Sequence, residues 1–408
     1  MRVAFYGNVC NILYQIVKAV RSCSDVDAHL FVNTSDHMQM LPESDDPEVL
    51  ADKPEWIHRG AFLPRGWYLA PWTSSLVQQL QNFDLVVAGD VGPMIAQFAG
   101  KPLVLCATGG DLTAYPFPLR FLYLYSSLKD RVGVLLKGYW QRRALRKARE
   151  VWVTPFYPFL NAVRDLRIED HAPTGMYFPF PIDIHKIMPR QTPLAVPPEL
   201  QFSNHTPAPF LIFHPTRIQI DDYSARGAQG QGKNNVMLFQ GLGEFVKRHP
   251  TLNVRLVLIE RDTCMDVPTA KRWLDQANLT RHVIWLKPPR SAGFTRNELV
   301  DLYSLCHVVA DQFSDVGWFG NVALEGCACS RPVITRIDNG ILSRLYSWHP
   351  FLPASSPADI ATQLLKLYTD TEERKIRGAQ GRRWIEEYHS LEATGPVYAT
   401  RLRQLAKA

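Results

Sequence analysis

Ten short apolar runs, each followed by a longer stretch of different character, constrain this chain more than any other feature. Five are Val3–Tyr6, Ala28–Val32, Leu85–Ala88, Leu103–Cys106 and Val151–Thr154. The others are Phe210–Phe213, Val254–Ile259, Val283–Leu286, Val308–Ala310 and Val333–Thr335. They are apolar almost throughout, which marks strands buried on both faces, as in a parallel sheet. Parallel neighbours need crossovers, and the intervening stretches supply them. After the first run, Ile12, Leu13, Ile16, Val17 and Val20 fall on one helical face. The pattern predicts α/β, doubly wound architecture.

At 408 residues the chain exceeds one typical domain. The pattern breaks at Phe178–Asn204, which carries Pro179, Pro181, Pro189, Pro193, Pro197 and Pro198 and no sustained period. The expected units are residues 1–185 and 186–389. Hydrophobic residues at 46% and charged residues at 21% are ordinary for globular domains, and chains of this size bury ample core without disulfides or metal. The seven cysteines are scattered; Cys327 and Cys329 are the close pair, with no matching His or Cys cluster. Reduced thiols in a cytoplasmic protein are expected. None of the twelve histidines shows metal-ligand spacing, so no metal site is assigned. No run reaches the roughly 18 to 20 apolar residues of a spanning helix. MRVAFYGNVCN opens with a strand-length apolar run and does not read as a signal peptide.

The net charge of +6 is unevenly placed. Residues 120–149 hold nine of the 45 Lys and Arg and one of the 39 Asp and Glu. An anionic partner would meet the protein there. The segment joins aromatic and apolar stretches (Phe121–Tyr125, Val134–Leu136, Tyr139-Trp140) to Arg142, Arg143, Arg146, Lys147 and Arg149. That combination predicts an interfacial helix on an anionic membrane, with a core helix of solvated basic face as the alternative.

The densest chemical signal is DQFSDVGWFGNVALEGCACSRPVIT, Asp311 to Thr335. A strand runs into a loop with Gly317 and Gly320, a helix begins near Asn321 and carries Glu325, and another strand follows. In an open parallel sheet a ligand sits beyond the carboxyl ends of the strands. Glycine permits close backbone approach, and the amides at a helix start suit a pyrophosphate. A carboxylate one turn further in can accept hydrogen bonds from ribose hydroxyls. An ordinary strand–turn–helix with one exposed Glu is the plain alternative. Upstream, Gly227-x4-Gly232-Lys233-Asn234 nearly spells a P-loop, but Asn234 stands where Ser or Thr must bind magnesium and no strand immediately precedes Gly227.

G-W-F-G-N-V-A-L-E-G-C-A-C-S-R-P-V-I resembles the donor-site signature of glycosyltransferase family 4, often E-G-F-G-x-x-x-L-E-A-M-A-C-G-x-P-V-I. The resemblance places Glu325 on the ribose and Phe319, Gly320 and Asn321 in the loop whose amides touch sugar and phosphate. Gly317 stands where that family has a glutamate against the transferred sugar, and Asp311 or Asp315 becomes the substitute carboxylate. Thr216-Arg217 and Lys233-Asn234 resemble the family's G-R…K-G element, whose two cations neutralise the leaving diphosphate; fixed cations can do this without a metal. Residues 218–232 between them read as a flap near the donor, with Gly227, Gly230 and Gly232 lowering its stiffness. Tyr177-Phe-Pro-Phe-Pro-Ile-Asp183 resembles the family's domain-junction segment, and Arg382 through Tyr388 its C-terminal crossing, which would return a helix at about 390–408 to the first unit.

In the first half Gly7-Asn8 follows the first strand and reads as a cleft lip or a plain turn. Thr108-Gly109-Gly110-Asp111 resembles the family's H-G-x-D turn, with Thr108 at the His position; Asp111 would orient an acceptor hydroxyl or cap the next helix. Asp90 is a weaker candidate of the same kind. The resemblance implies a GT-B enzyme with two Rossmann-like domains facing each other across a cleft. It implies retaining sugar transfer from a nucleotide-diphosphate sugar as co-substrate, with no metal needed for chemistry. The acceptor would be a glycan or lipid-linked glycan, at the inner face of the cell membrane if lipid-linked, and no nucleic-acid partner is expected. A sugar-nucleotide epimerase and a non-catalytic sugar-nucleotide-binding subunit are the alternatives.

Overall fold

The computed structural model describes residues 1–173, 178–202, 207–220, 232–261, 264, 266–290 and 293–407. Tyr177, and Gly227 and Gly230 with most of the expected flap, lie outside the described residues. The chain divides into two compact units: Met1–Pro181 with His389–Ala408, and Ile182–Tyr388. The division falls slightly before the 185/186 boundary read from the prolines.

Unit one holds β1 (Arg2–Tyr6), β2 (Asp27–Asn33), β3 (Ile57–Gly60), β4 (Leu85–Ala88), β5 (Leu103–Cys106) and β6 (Glu150–Trp152). All pair in parallel, in the order 3-2-1-4-5-6. Val3 and Phe5 pack on one face with Ile16, Val20 and Leu402, while Ala4 and Tyr6 pack on the other with Leu76 and Leu80. Both faces are covered, so strand residues are apolar at every position. Each fully buried Val, Leu or Phe contributes about 1.5–3 kcal/mol of transfer free energy.

The helix Leu391–Lys407 completes this unit against the helix Ile12–Cys23. The two approach closely enough that a Cβ at Gly395 would lie 2.3 Å from Ala19 O. Tyr398 is buried beside Trp152 and Phe178, and its Oη donates to Pro179 O at 3.1 Å. Arg401 forms an ion pair with the buried Glu150 of β6.

Unit two holds β7 (Phe210–His214), β8 (Val254–Ile259), β9 (Val283–Leu286), β10 (Val308–Ala310), β11 (Val333–Thr335) and β12 (Leu352–Pro353), also parallel, in the order 12-11-10-7-8-9. The architecture of both units is the doubly wound one expected. Arg382 donates to the carbonyls of Ile184, Ile187 and Ala328, fastening the start of the unit to its last helix.

Each sheet has one place where strand order reverses, between β1 and β4 and between β7 and β10. There the crossovers leave to opposite sides, which opens a crevice beyond the carboxyl ends of the strands. Among the described residues no helix is long and apolar enough to cross a membrane.

Candidate active site

The candidate donor residues of unit two gather at its switch point. β7 ends in His214, which is fully buried. Asn235 Nδ2 donates to His214 Nε2 at 2.8 Å, so His214 Nδ1 carries the proton and donates to Ala310 O at 2.8 Å. Burial holds this ring neutral, with its pKa down to about 4. Asn235 Oδ1 accepts from Gln219 N at 2.7 Å, and its Nδ2 also reaches Arg217 O at 3.3 Å. One buried asparagine thus fixes the backbone around Arg217. Neither His214 nor Asn235 stood out in the sequence, because a polar residue ending a strand or opening a helix carries no motif.

The loop after β7 is tied to the loop after β10. Thr216 Oγ1 donates to Asp311 O at 3.3 Å, and Phe313 N donates to Lys233 O at 3.0 Å. Lys233 Nζ donates to Gln312 Oε1, and Gln312 Nε2 in turn donates to Trp318 O. Asn234 adopts left-handed backbone at φ +51° and caps the helix Asn235–Arg248. That conformation suits asparagine and opposes Ser or Thr, which explains why the P-loop spelling stops short.

Asp311 and Asp315, read as the substitute carboxylate, are both engaged within the protein. Asp311 is buried, its Oδ2 accepts from Gly320 N at 2.6 Å, and a Cβ at Gly320 would meet its Oδ1 at 3.0 Å. Burial pushes its carboxyl up, and the Lys233 ammonium opposes that shift. Asp311 is therefore the clamp that shapes the glycine loop. Asp315 is exposed and paired with Arg336 at 2.5 Å. Gly317 has φ +65°, a region costly for a glutamate, and its Cβ position would lie 3.0 Å from Asp338 Cβ. Asp338, beyond β11, is the carboxylate that the fold brings beside Gly317; its Oδ1 accepts from Gly340 N at 2.8 Å.

The Phe319 ring packs among Trp318, Phe351 and Trp384, with centroids 4.7, 5.0 and 5.6 Å away, which anchors the loop. Gly320 precedes the helix Asn321–Ala328, whose first amides lack intrahelical partners. Glu325 is buried on that helix; Oε2 accepts from Tyr303 Oη at 2.8 Å and Oε1 pairs with Arg296. Each carboxylate oxygen has a second lone pair with which to accept from a ribose hydroxyl. Arg296 and Tyr303 were missed, although Thr295-x-x-Glu298 spells the capping box that starts their helix.

A scan of family models finds no match, and no curated protein matches the chain. Solved structures do. HepE of Anabaena, in complex with UDP and glucose, superposes with a TM-score of 0.64 at 16% identity over 99% of this chain and 100% of that one. Sucrose-phosphate synthase from Thermosynechococcus elongatus gives 0.62 at 14% over 99% of each chain. The lipopolysaccharide outer core galactosyltransferase WaaB gives 0.51 at 13% over 99% of each. The fold is GT-B.

In this GT-B chain the candidates of unit one line the other switch point. Gly7 has φ +89°, and a Cβ there would lie 2.0 Å from Gly89 O, so the loops after β1 and β4 touch. Asn8 is buried; its Nδ2 donates to Asn11 Oδ1 and Met40 O, and its Oδ1 accepts from Tyr14 N. The first helix starts only at Ile12, after a 3-10 turn. Asp111 is buried and accepts from the amides of Thr108, Gly109 and Asp90 and from Thr108 Oγ1. Burial raises its pKa to about 6 against those bonds. Its carboxylate staples the turn. Asp25 and Asp27, two acidic residues at the amino end of β2, are paired with Arg403 and Arg21, at the opposite end of the strand from the switch point of unit one. Among the described residues no cluster of three or more His, Cys, Asp or Glu is arranged to hold a metal ion.

Proposed function

We propose that this chain is a retaining glycosyltransferase of the family 4 type, taking its sugar from a uridine-diphosphate sugar. The observation that carries the reading is the joining of Arg217, Lys233, the Gly320–Asn321 helix start and Glu325 at one switch point, on the fold that HepE shares with its UDP complex. Arg217 and Lys233 stabilise the diphosphate as it gains charge, the helix amides bind phosphate, and Glu325 holds the ribose. No step in this scheme needs a metal. An epimerase would require acid–base carboxylates facing the sugar, which Gly317 does not supply. A non-catalytic subunit that binds a sugar nucleotide would keep the same cations, and it is the transfer assay below that separates it from an enzyme.

The test is a thermal-shift screen with a panel of nucleotide sugars, starting from UDP-glucose. A donor that binds the native state at a hundred times its Kd adds about 2.7 kcal/mol. Transfer and donor hydrolysis, each followed in EDTA with and without acceptor glycans, then separate transferase from epimerase and binder. Proton NMR of the first product should show the donor's anomeric configuration kept. Inversion, or loss of activity in EDTA, would discard this mechanism.

We infer further that the acceptor is lipid-linked and is met at the inner face of the cell membrane. On the helix Leu128–Lys147, Leu128, Val132, Leu135 and Tyr139 are 78%, 44%, 37% and 52% exposed. Their spacing makes one stripe, which Arg142 and Arg146 continue. The buried face is made of Gly133, Gly138, Gln141, Ala144 and Leu145, so the core does not account for the stripe. Phe121 is buried and Trp140 packs on Phe98, so those two aromatics belong inside. Each basic residue near an anionic surface is worth about 1 kcal/mol. Flotation with phosphatidylserine or cardiolipin liposomes should show binding that weakens in high salt and in Arg142→Glu/Arg146→Glu or Leu135→Glu variants. No flotation at low salt would return the acceptor to a soluble glycan.

A further inference from the structure

Glu325 is held by its own protein before any ligand reaches it. The helix Arg296–Leu305 leads into β10, and the helix Asn321–Ala328 leads out of it. On the first, Arg296 and Tyr303 stand seven residues apart, about two helical turns, and so share a face. The capping box of Thr295 and Glu298 fixes where that helix starts, and with it the level of both side chains. Both reach one carboxylate on the second helix: Tyr303 Oη donates to Glu325 Oε2 at 2.8 Å, and Arg296 pairs with Oε1.

The two supports differ in depth. Tyr303 is fully buried, with its ring edge-on to Phe213 of β7 at 5.1 Å, so its oxygen is fixed by the core. Burial and the Glu325 charge hold the phenol well above its usual ionisation range, so it stays a proton donor. The side chains of Arg296 and Glu325 are 17% and 7% exposed, so the trio is closed at the phenol and opens at the guanidinium. A glutamate with free torsions gives them up when it grips a ligand; one held at both oxygens has already done so. A carboxylate offers about four lone-pair sites. Tyr303 and Arg296 take one on each oxygen, and the one left on each suits two neighbouring hydroxyls better than a single one.

We propose that Arg296 and Tyr303 are positioning residues that set Glu325 to accept from both hydroxyls of a ribose, and that the chain thereby selects ribonucleoside over 2′-deoxyribonucleoside diphosphate sugars. A deoxy donor leaves one lone pair of a nearly buried acceptor unmet. Both residues act through the carboxylate. A tie that only joined the two helices would be indifferent to the 2′-hydroxyl.

The assignment rests on the nucleotide-sugar reading, so the probes are UDP and 2′-deoxy-UDP, titrated calorimetrically into the full chain. The wild type should bind UDP about tenfold or more tightly than the deoxy probe, the worth of a hydrogen bond to a charged group. Tyr303→Phe keeps the ring against Phe213 and deletes only the hydroxyl. Arg296→Gln removes the outer support at a partly exposed position, and it carries the test if Tyr303→Phe does not fold. Each should bring the ratio of the two affinities toward one, chiefly by weakening UDP, and Arg296→Lys should recover part of it. The melting temperature without ligand reports folding. A structural tie would lower that temperature and leave the ratio where it was, so an unchanged ratio in folded variants that still bind UDP would overturn the proposal and spare the donor site. Equal affinity of the wild type for both probes would overturn it too. A wild type that binds neither probe would remove the nucleotide-sugar reading itself, and this assignment with it.

Discussion

Replacing Lys233 by alanine should lower turnover of sugar transfer about a hundredfold or more, the cost of removing one donor that stabilises developing charge. The ammonium is held by Gln312 beside the clamp Asp311, so its position is set before donor arrives. Such placement is what makes a cation effective, since no reorganisation is left for the transition state. A hundredfold corresponds to about 2.7 kcal/mol. The fold should persist, because alanine loses the bond to Gln312 but keeps those from Phe313 N to the carbonyl of residue 233 and from Asn234 Nδ2 to Phe313 O, which also join the two loops. Asp311 loses a compensating charge in the variant, so Lys233→Arg is the companion: it restores the charge and should recover part of the turnover. The comparison is kcat for transfer and for donor hydrolysis, with circular dichroism to confirm folding. Near-normal turnover in folded Lys233→Ala protein would remove Lys233 from the diphosphate.

Acid should destabilise both units between pH 6.5 and pH 4. His214 in unit two and His389 in unit one are fully buried. Burial lowers both from 6.5 to about 4. Within that window the unfolded chain takes up protons that the folded chain refuses, so proton binding favours unfolding. The contribution of each ring is intact above pH 6.5 and is lost as pH falls toward 4. Shifts of this size correspond to about 3 kcal/mol per ring. Asp111 works the other way. Its pKa is raised to about 6, so its contribution is present at low pH and fades as pH rises through 6. It offsets part of the loss in unit one and none in unit two. Calorimetry from pH 7.5 to 4.5 should show a falling melting temperature, with a shallower slope in His214→Gln. A flat profile in the wild type would mean that these rings are not kept neutral.

Much of the fold was legible because burial on both sheet faces writes a strand as an unbroken apolar word. All ten runs read that way correspond to strands. The two strands that escaped, β3 and β12, are edges. Ile57-His-Arg-Gly is partly exposed and half polar, and Leu352-Pro353 is two residues ending in proline. An edge strand is not obliged to be apolar on both faces, so its signal fades. The candidate donor site was legible where chemistry and backbone coincide in a few consecutive letters, as at Gly320 and Glu325. Its supports were not: Arg296 and Tyr303 reach Glu325 from another helix, and Asp338 reaches Gly317 from another strand. Asp111 shows the opposite failure. A carboxylate after two glycines is spelled the same way whether it serves a ligand or its own backbone, and the four donors it accepts from, Thr108 N, Thr108 Oγ1, Gly109 N and Asp90 N, are not spelled at all.

The return of the helix Leu391–Lys407 to unit one sets an order of assembly on the ribosome. Unit two draws its strands and covering helices from one uninterrupted stretch, Ile182–Tyr388, so it can close while the chain is still being made. The strands of unit one emerge before unit two but lack Tyr398, Leu402 and Leu405 over Trp152 and the first helix until Leu391–Lys407 has been made. The unit begun before unit two is finished after it, and its apolar face waits uncovered, open to chaperones or to other nascent chains, while Ile182–Tyr388 is made.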